Sequence, residues 1–297
     1  MKIAKGIMAA ILVSMCVILI IIAYFMLADI ETKIPNKIES TCNIEEQEYI
    51  GRKVFIITPK EKEENKTDIV ILYFHGGAYV AEATQNHWEF IEKIVIDTGA
   101  TVIMPDYPLT PKYNYKDVFT MIKPLYKDII ERVDNKNLIV LGDSAGGGMA
   151  LSLIQEMKEE NIDMPSKTIL ISPWLDVRLN NPQIDEVQKR DNILNKETLK
   201  IAGIAYASED GINNKLVNPI DGNLEKLENI TIMIGTDDIF NPDTKLLKEK
   251  AKLVNTNIEL KEYENAKHIW IIEKNSEEKT IEQGYNDLIK IIKNKGN

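Results

Sequence analysis

Apolar residues along this chain come in short runs of strand length, separated by stretches whose apolar positions recur at helical spacing. Val54 to Ile57 is an early run, ended by Pro59, and Ile69 to Phe74 is the next. Trp88 to Asp97 then places Trp88, Ile91, Ile94 and Val95 on one helical face. Thr101 to Met104 predicts a strand, Asp117 to Arg132 a helix and Leu138 to Leu141 a strand, with a further helix from Ser144 to about Glu160. Thr168 to Ile171, Ile230 to Ile234 and Ile258 to Leu260 predict three more strands. Strands alternating with helices in this way build a mainly parallel sheet with helices on both faces. The interval from Asp176 to Leu216 breaks the rhythm: it holds no strand pattern, and Asn195 to Ala207 has helical spacing. It is expected to form a small helical cap insertion over one end of the sheet.

The longest apolar run lies elsewhere. Ile7 to Ala28 carries no charge, with Lys2 and Lys5 before it and Asp29 and Glu31 after. Such a run is long enough to span a bilayer, longer than a signal-peptide core, and lacks small residues at a cleavage position. The expected organisation is therefore an N-terminal transmembrane helix over residues 1–28, a polar stalk over 29–45 and one catalytic domain over 46–297. The short basic tail ahead of the run favours an extracytoplasmic domain, although Lys33 and Lys37 balance the count behind it. The charged stretch from Lys60 to Asp68 is expected to be a solvated hairpin turn.

Composition narrows the chemistry. The formal net charge is −10, with 36 basic and 46 acidic side chains, which argues against a nucleic-acid partner. The two cysteines, Cys16 within the apolar run and Cys42 beyond it, give no disulfide framework.

The stretch Leu138 to Met149, LIVLGDSAGGGM, drives a buried strand straight into a glycine-dense turn and a helix. Gly142 to Gly146 fits G-x-S-x-G, in which small residues let the backbone bend sharply around an exposed serine. Ser144 is thus the candidate nucleophile. A nucleophilic serine needs a base, and the base an orienting acid, in chain order Ser, Asp/Glu, His for this topology. Only His268 of the three histidines follows Ser144, and it lies just past the last predicted strand. His87, at a helix start, is read as structural. For the acid, TIMIGTDDIFNPD offers Asp237, Asp238 and Asp243. Asp238 is preferred, Asp237 is its rival, and Asp243, beside Pro242, is expected to cap the next helix. The turn His75-Gly76-Gly77-Ala78 presents bare amides, so Gly77, Ala78 and Ala145 are the candidate oxyanion hole. A phosphate-cradling reading of GDSAGGG fails because Met149 stands where a lysine is needed.

With these residues in place the chain, from about Ile69 onwards, resembles the hormone-sensitive-lipase-like carboxylesterases of the α/β-hydrolase superfamily. HGGAY (His75 to Tyr79), DYPLTP (Asp106 to Pro111), GDSAGG (Gly142 to Gly147) and SPWLD (Ser172 to Asp176) occur in the family's order. The resemblance implies an α/β-hydrolase fold and puts the acid on Asp238 through the family's G-x-x-D pattern. It implies hydrolysis of short-chain acyl or acetyl esters through an acyl-enzyme, with no metal and no organic cofactor. Two departures stand out: Ala78 replaces a third glycine, and the membrane run replaces the usual N-terminal cap helices. An amidase or peptidase using the same residues is the alternative enzyme. A non-catalytic, membrane-tethered binding protein is the alternative outside that class, and the complete set of parts argues against it.

Overall fold

The structure, a computed structural model, describes residues 32–60 and 67–294. The expected transmembrane helix and most of the charged turn lie outside the described residues. Among those described, no helix is long and apolar enough to cross a membrane.

Eight strands form one sheet in the order β1-β2-β4-β3-β5-β6-β7-β8. They are β1 (Cys42–Tyr49), β2 (Arg52–Pro59), β3 (Val70–Phe74), β4 (Thr101–Pro105), β5 (Leu138–Asp143), β6 (Lys167–Ile171), β7 (Ile230–Gly235) and β8 (Ile258–Tyr263). β3 to β8 pair in parallel, whereas β1 and β2 form an antiparallel hairpin laid against β4. The hairpin turns through Ile50 and Gly51, both at positive φ (49° and 72°), the backbone shape that joins two twisted strands in two residues.

Alternation along the strands sorts side chains into two cores. Leu72, Phe74 and Val140 face one layer, which holds α2 (Tyr115–Ile130), α3 (Ser144–Glu159) and α6 (Asn241–Leu253). Ile71, Tyr73, Ile139 and Leu141 face the other, covered by α1 (Gln85–Thr98), α7 (Trp270–Glu273) and α8 (Glu278–Lys293). Every residue of β5 and β7 is buried, as strands covered on both faces must be.

The segment expected to be a stalk is not free of the body. Thr32 is buried and donates through both its amide and its hydroxyl to Asp106 Oδ1, at 3.3 and 2.7 Å. Ile38 is buried, and β1 begins at Cys42, a buried free thiol. β1 is an edge strand exposed on both faces over residues 45–48, with Asn43 exposed as well, so the sequence shows no apolar run. The interval from Asp176 to Leu216 holds α4 (Ile184–Gln188) and α5 (Lys196–Ala207) and no strand. α2 starts two residues before its predicted start. Asn114 caps it by accepting the Lys116 amide, and Asp117 returns a bond to the Asn114 amide.

Candidate active site

The parallel strands end together at one edge of the sheet, and each candidate residue sits on the loop that follows one of them. β5 runs into Ser144, whose φ of 53° is the left-handed conformation a side chain rarely adopts. Neighbouring glycines make that bend possible. A Cβ on Gly146 would lie 2.1 Å from the Phe74 carbonyl oxygen, so any side chain there would push the elbow off β3. The Ser144 carbonyl is held from the other side by the Trp174 amide at 2.8 Å.

His268 Nε2 lies 2.9 Å from Ser144 Oγ, and His268 Nδ1 lies 2.9 Å from Asp238 Oδ2. All three side chains are buried. Burial opposes charge on the imidazole, but the Asp238 carboxylate and its hydrogen bond outweigh it and raise the His268 pKa above the ordinary value. The ring is fixed by its backbone. Asn275 donates to the His268 carbonyl at 3.0 Å, and the next amide, Ile269, donates to Ser172 Oγ at 3.1 Å. Asp238 Oδ1 accepts the Phe240 amide at 2.9 Å.

The other two acids separate from the pair. Asp237 points outward to Arg190, at 2.9 Å. Asp243 does not cap its helix. It lies in the first turn of α6, accepts from Asn181 Nδ2 at 2.9 Å, and burial raises its carboxyl to about 6.

The turn after β3 carries Gly77, Ala78 and Tyr79 at φ 119°, 52° and 63°. The Gly77 carbonyl accepts the Val80 and Ala81 amides, both at 3.0 Å, which closes the turn and leaves its own amides pointing elsewhere. Ala78 holds a left-handed conformation that glycine would take without strain. Neither the Gly77 nor the Ala78 amide meets a protein acceptor among the described residues. Ala145 opens α3, where a first-turn amide has no intrahelical partner.

Four side chains support the site: Tyr73, Asp143 and Asp191 were not singled out from sequence, and His87 was read there only as structural. Asp143, fully buried beside the nucleophile, accepts the Tyr73 hydroxyl at 2.5 Å, the Gly76 amide at 3.0 Å and His87 Nε2 at 3.3 Å. His87 Nδ1 accepts the Thr84 amide at 3.0 Å, so the ring proton sits on Nε2 and points at Asp143. Burial opposes the Asp143 charge, yet His87 and Tyr73 together hold its pKa below the ordinary carboxylate value. The fourth is Asp191, between α4 and α5, whose Oδ2 accepts the Ile239 amide at 3.0 Å and whose Oδ1 accepts those of Ile193 and Leu194. His75 is also buried, and burial, then the nearby His87, pushes its pKa down to about 4.

An aromatic chain walls the site. Tyr206 of α5 stacks on Tyr79 at 3.6 Å between centroids, Tyr79 on Trp174, Trp174 on Phe240, and Phe240 meets His268 edge-on. Among the described residues no group of three or more His, Cys, Asp or Glu is arranged to hold a metal ion.

A profile of the alpha/beta hydrolase fold family matches residues 71–272, which contain the whole arrangement. The chain belongs to the α/β-hydrolase-fold family. Its motif set is that of the hormone-sensitive-lipase-like carboxylesterases within that family. Among curated relatives, an esterase of Acinetobacter venetianus is 31% identical over 197 residues, covering 65% of each chain. An acetyl-hydrolase of Streptomyces hygroscopicus is 24% identical over 201 residues, covering 67% of each. The match thus spans about two thirds of either relative. A crystal structure of a Staphylococcus aureus protein, described as a candidate esterase, superposes with a TM-score of 0.82 at 27% identity. That superposition covers 89% of this chain and 88% of the other.

Proposed function

We propose that this α/β-hydrolase is a carboxylesterase acting through an acyl-enzyme on Ser144. The observation that carries the reading is the continuous chain Ser144–His268–Asp238, two contacts of 2.9 Å with no solvent gap. His268 Nε2 takes the Ser144 proton as Oγ bonds to the ester carbonyl carbon. The resulting oxyanion is held by the amides of Gly77, Ala78 and Ala145. The C–O bond to the alcohol then breaks and His268 returns the proton to the leaving oxygen. Water, activated by the same ring, attacks the acyl-enzyme and releases the acid with Ser144 restored. Asp238 stays a carboxylate throughout and fixes the ring so that Nε2 faces the serine.

The acyl group in this reading is short, acetyl first. The buried Tyr79, Trp174, Tyr206 and Phe240 fill the space beside the serine, and the Streptomyces relative is named for acetyl hydrolysis. The uncharged run Ile7–Ala28 anchors the protein in a membrane, with the catalytic domain on the extracytoplasmic side.

The test is turnover of p-nitrophenyl esters, from acetate to decanoate, by the full chain in detergent. Acetate is expected to be cleaved fastest, Ser144→Ala to lose turnover, and Asp238→Asn to lose about 10⁴-fold in kcat. kcat/KM is expected to rise with pH as His268 loses its proton, with a midpoint above the imidazole's ordinary value because Asp238 raises it. A folded wild-type chain that is silent on every ester overturns the reading.

A further inference from the structure

We propose that the outer face of α5, together with the loop tip at Val80, docks on the lipid bilayer. The entrance to the site is then held against the membrane and receives esters dissolved in it. The proposal rests on the membrane-anchored reading above and adds to it a surface and a substrate class.

The first observation is the distribution of side chains on α5. Ile201 and Ile204, three residues apart, are 70% and 60% exposed, and Ile193 ahead of the helix is 45% exposed. Val80, next to the stacked Tyr79, is 39% exposed. The opposite face of α5 is fully used. Leu199, Gly203 and Tyr206 are buried, Gly203 lies against Val177 and Trp174, and Tyr206 stacks on Tyr79. Those contacts all belong to loops at the C-terminal ends of β3 and β6. The isoleucines therefore point away from the sheet, outward past the site. A helix with one buried stripe ordinarily carries charge on its outer face, and an apolar cluster there marks a contact surface.

The second observation decides the occupant. Thr32, the first described residue, is bonded to Asp106 immediately after β4, at the same end of the sheet as Ser144. The last residue of the uncharged run, Ala28, is four residues earlier. Four residues reach at most about 14 Å even when fully extended. A bilayer entered by Ile7–Ala28 thus meets the molecule at its active-site end, the end that carries Ile201 and Ile204. Charges beside the patch neutralise one another: Lys200 lies 3.5 Å from Glu197, and Lys196 lies 2.6 Å from Asp185. With a chain net charge of −10, attraction to anionic lipid is excluded as the driving force. The contact is apolar and insensitive to salt.

The experiment uses the full chain reconstituted in phosphatidylcholine vesicles, wild type against Ile201→Lys/Ile204→Lys. Both proteins are followed by flotation, by hydrolysis of a water-soluble acetate ester and by hydrolysis of the acetate of a long-chain alcohol dissolved in the vesicles. The variant is expected to float and to cleave the soluble ester at the wild-type rate, while vesicle-borne ester turnover falls about tenfold. Equal turnover of the vesicle-borne ester by both proteins overturns the docking surface. So does a parallel loss on both substrates with a lowered melting temperature in detergent, which would place the two isoleucines against another part of this chain. A wild type that does not float removes the anchor reading, and the docking surface falls with it. Anchor failure is thereby separated from failure of the patch alone.

Discussion

Asp143 is a carboxylate without solvent contact, adjacent in sequence to Ser144 and yet outside the hydrogen-bonded chain Ser144–His268–Asp238. Its charge is sustained by partners from three places: Tyr73 on β3, the Gly76 amide and His87 on α1. The Gly76 bond gives it a catalytic consequence, because the next two amides are those that would hold the oxyanion. A loosened Gly76 lets Gly77 and Ala78 drift, which costs transition-state stabilisation and leaves ground-state binding little changed. Asp143→Asn is accordingly expected to lower kcat about tenfold with KM nearly unchanged, a fraction of the loss on removing an oxyanion donor outright. Steady-state kinetics on an acetate ester checks this, and wild-type kcat would remove Asp143 from the positioning of the loop. The linkage sign is also fixed. Because its pKa is depressed on folding, Asp143 stabilises the protein above the ordinary carboxylate range, and that contribution is lost as pH falls through the folded value.

Among elements, the insertion between β6 and β7 has two attachments with different consequences. Tyr206 stacks it on the turn after β3, and Asp191 ties it to the turn that carries Asp238. Asp191 satisfies three backbone amides at once, so Asp191→Ala strands three donors. It is expected to cost about 2–4 kcal/mol of stability and to lower kcat as the acid turn relaxes. Urea denaturation paired with kinetics measures both, and unchanged stability would show that the amides find other partners. This clamp was invisible in the sequence because nothing in RDNILN marks an aspartate as the partner of a residue 48 positions later. The inner strands β5 and β7, by contrast, were legible as apolar runs, since a strand covered on both faces has no polar positions to blur it. Ser144 and His268 could be named because topology fixes their order along the chain, whereas order alone left Asp237 and Asp243 beside Asp238, and the family's G-x-x-D pattern favoured Asp238. Asp143 and His87 were not legible, because their meaning lies in contacts between β3, β5 and α1. β1 was missed because Glu45, Glu46 and Glu48 leave both faces polar and exposed, and its strand character comes only from pairing with β2.

On the scale of the whole molecule, the parallel strands deliver every reacting group to one edge, while the antiparallel hairpin extends the sheet away from the site. Thr32, bonded to Asp106, brings the incoming chain to that same edge. The far side of the sheet ends differently. β1 has a free edge, and an unpaired edge is a template on which another copy of the chain can continue the ladder. Glu45, Glu46 and Glu48 stand on it, with Lys53 of β2 directly opposite Glu48 and 3.1 Å from Glu46. A second β1 arriving alongside would bring its own acids against these, so the repulsion keeps neighbouring molecules apart. Replacing Glu45 and Glu48 by threonine, which favours strands and carries no charge, is expected to turn a monodisperse protein into one that self-associates with concentration. Sedimentation velocity in detergent would detect that, and a variant that stays monodisperse would assign the guarding of this edge to something other than its charge. Crowding tolerance, in this view, is written into the strand farthest from the chemistry.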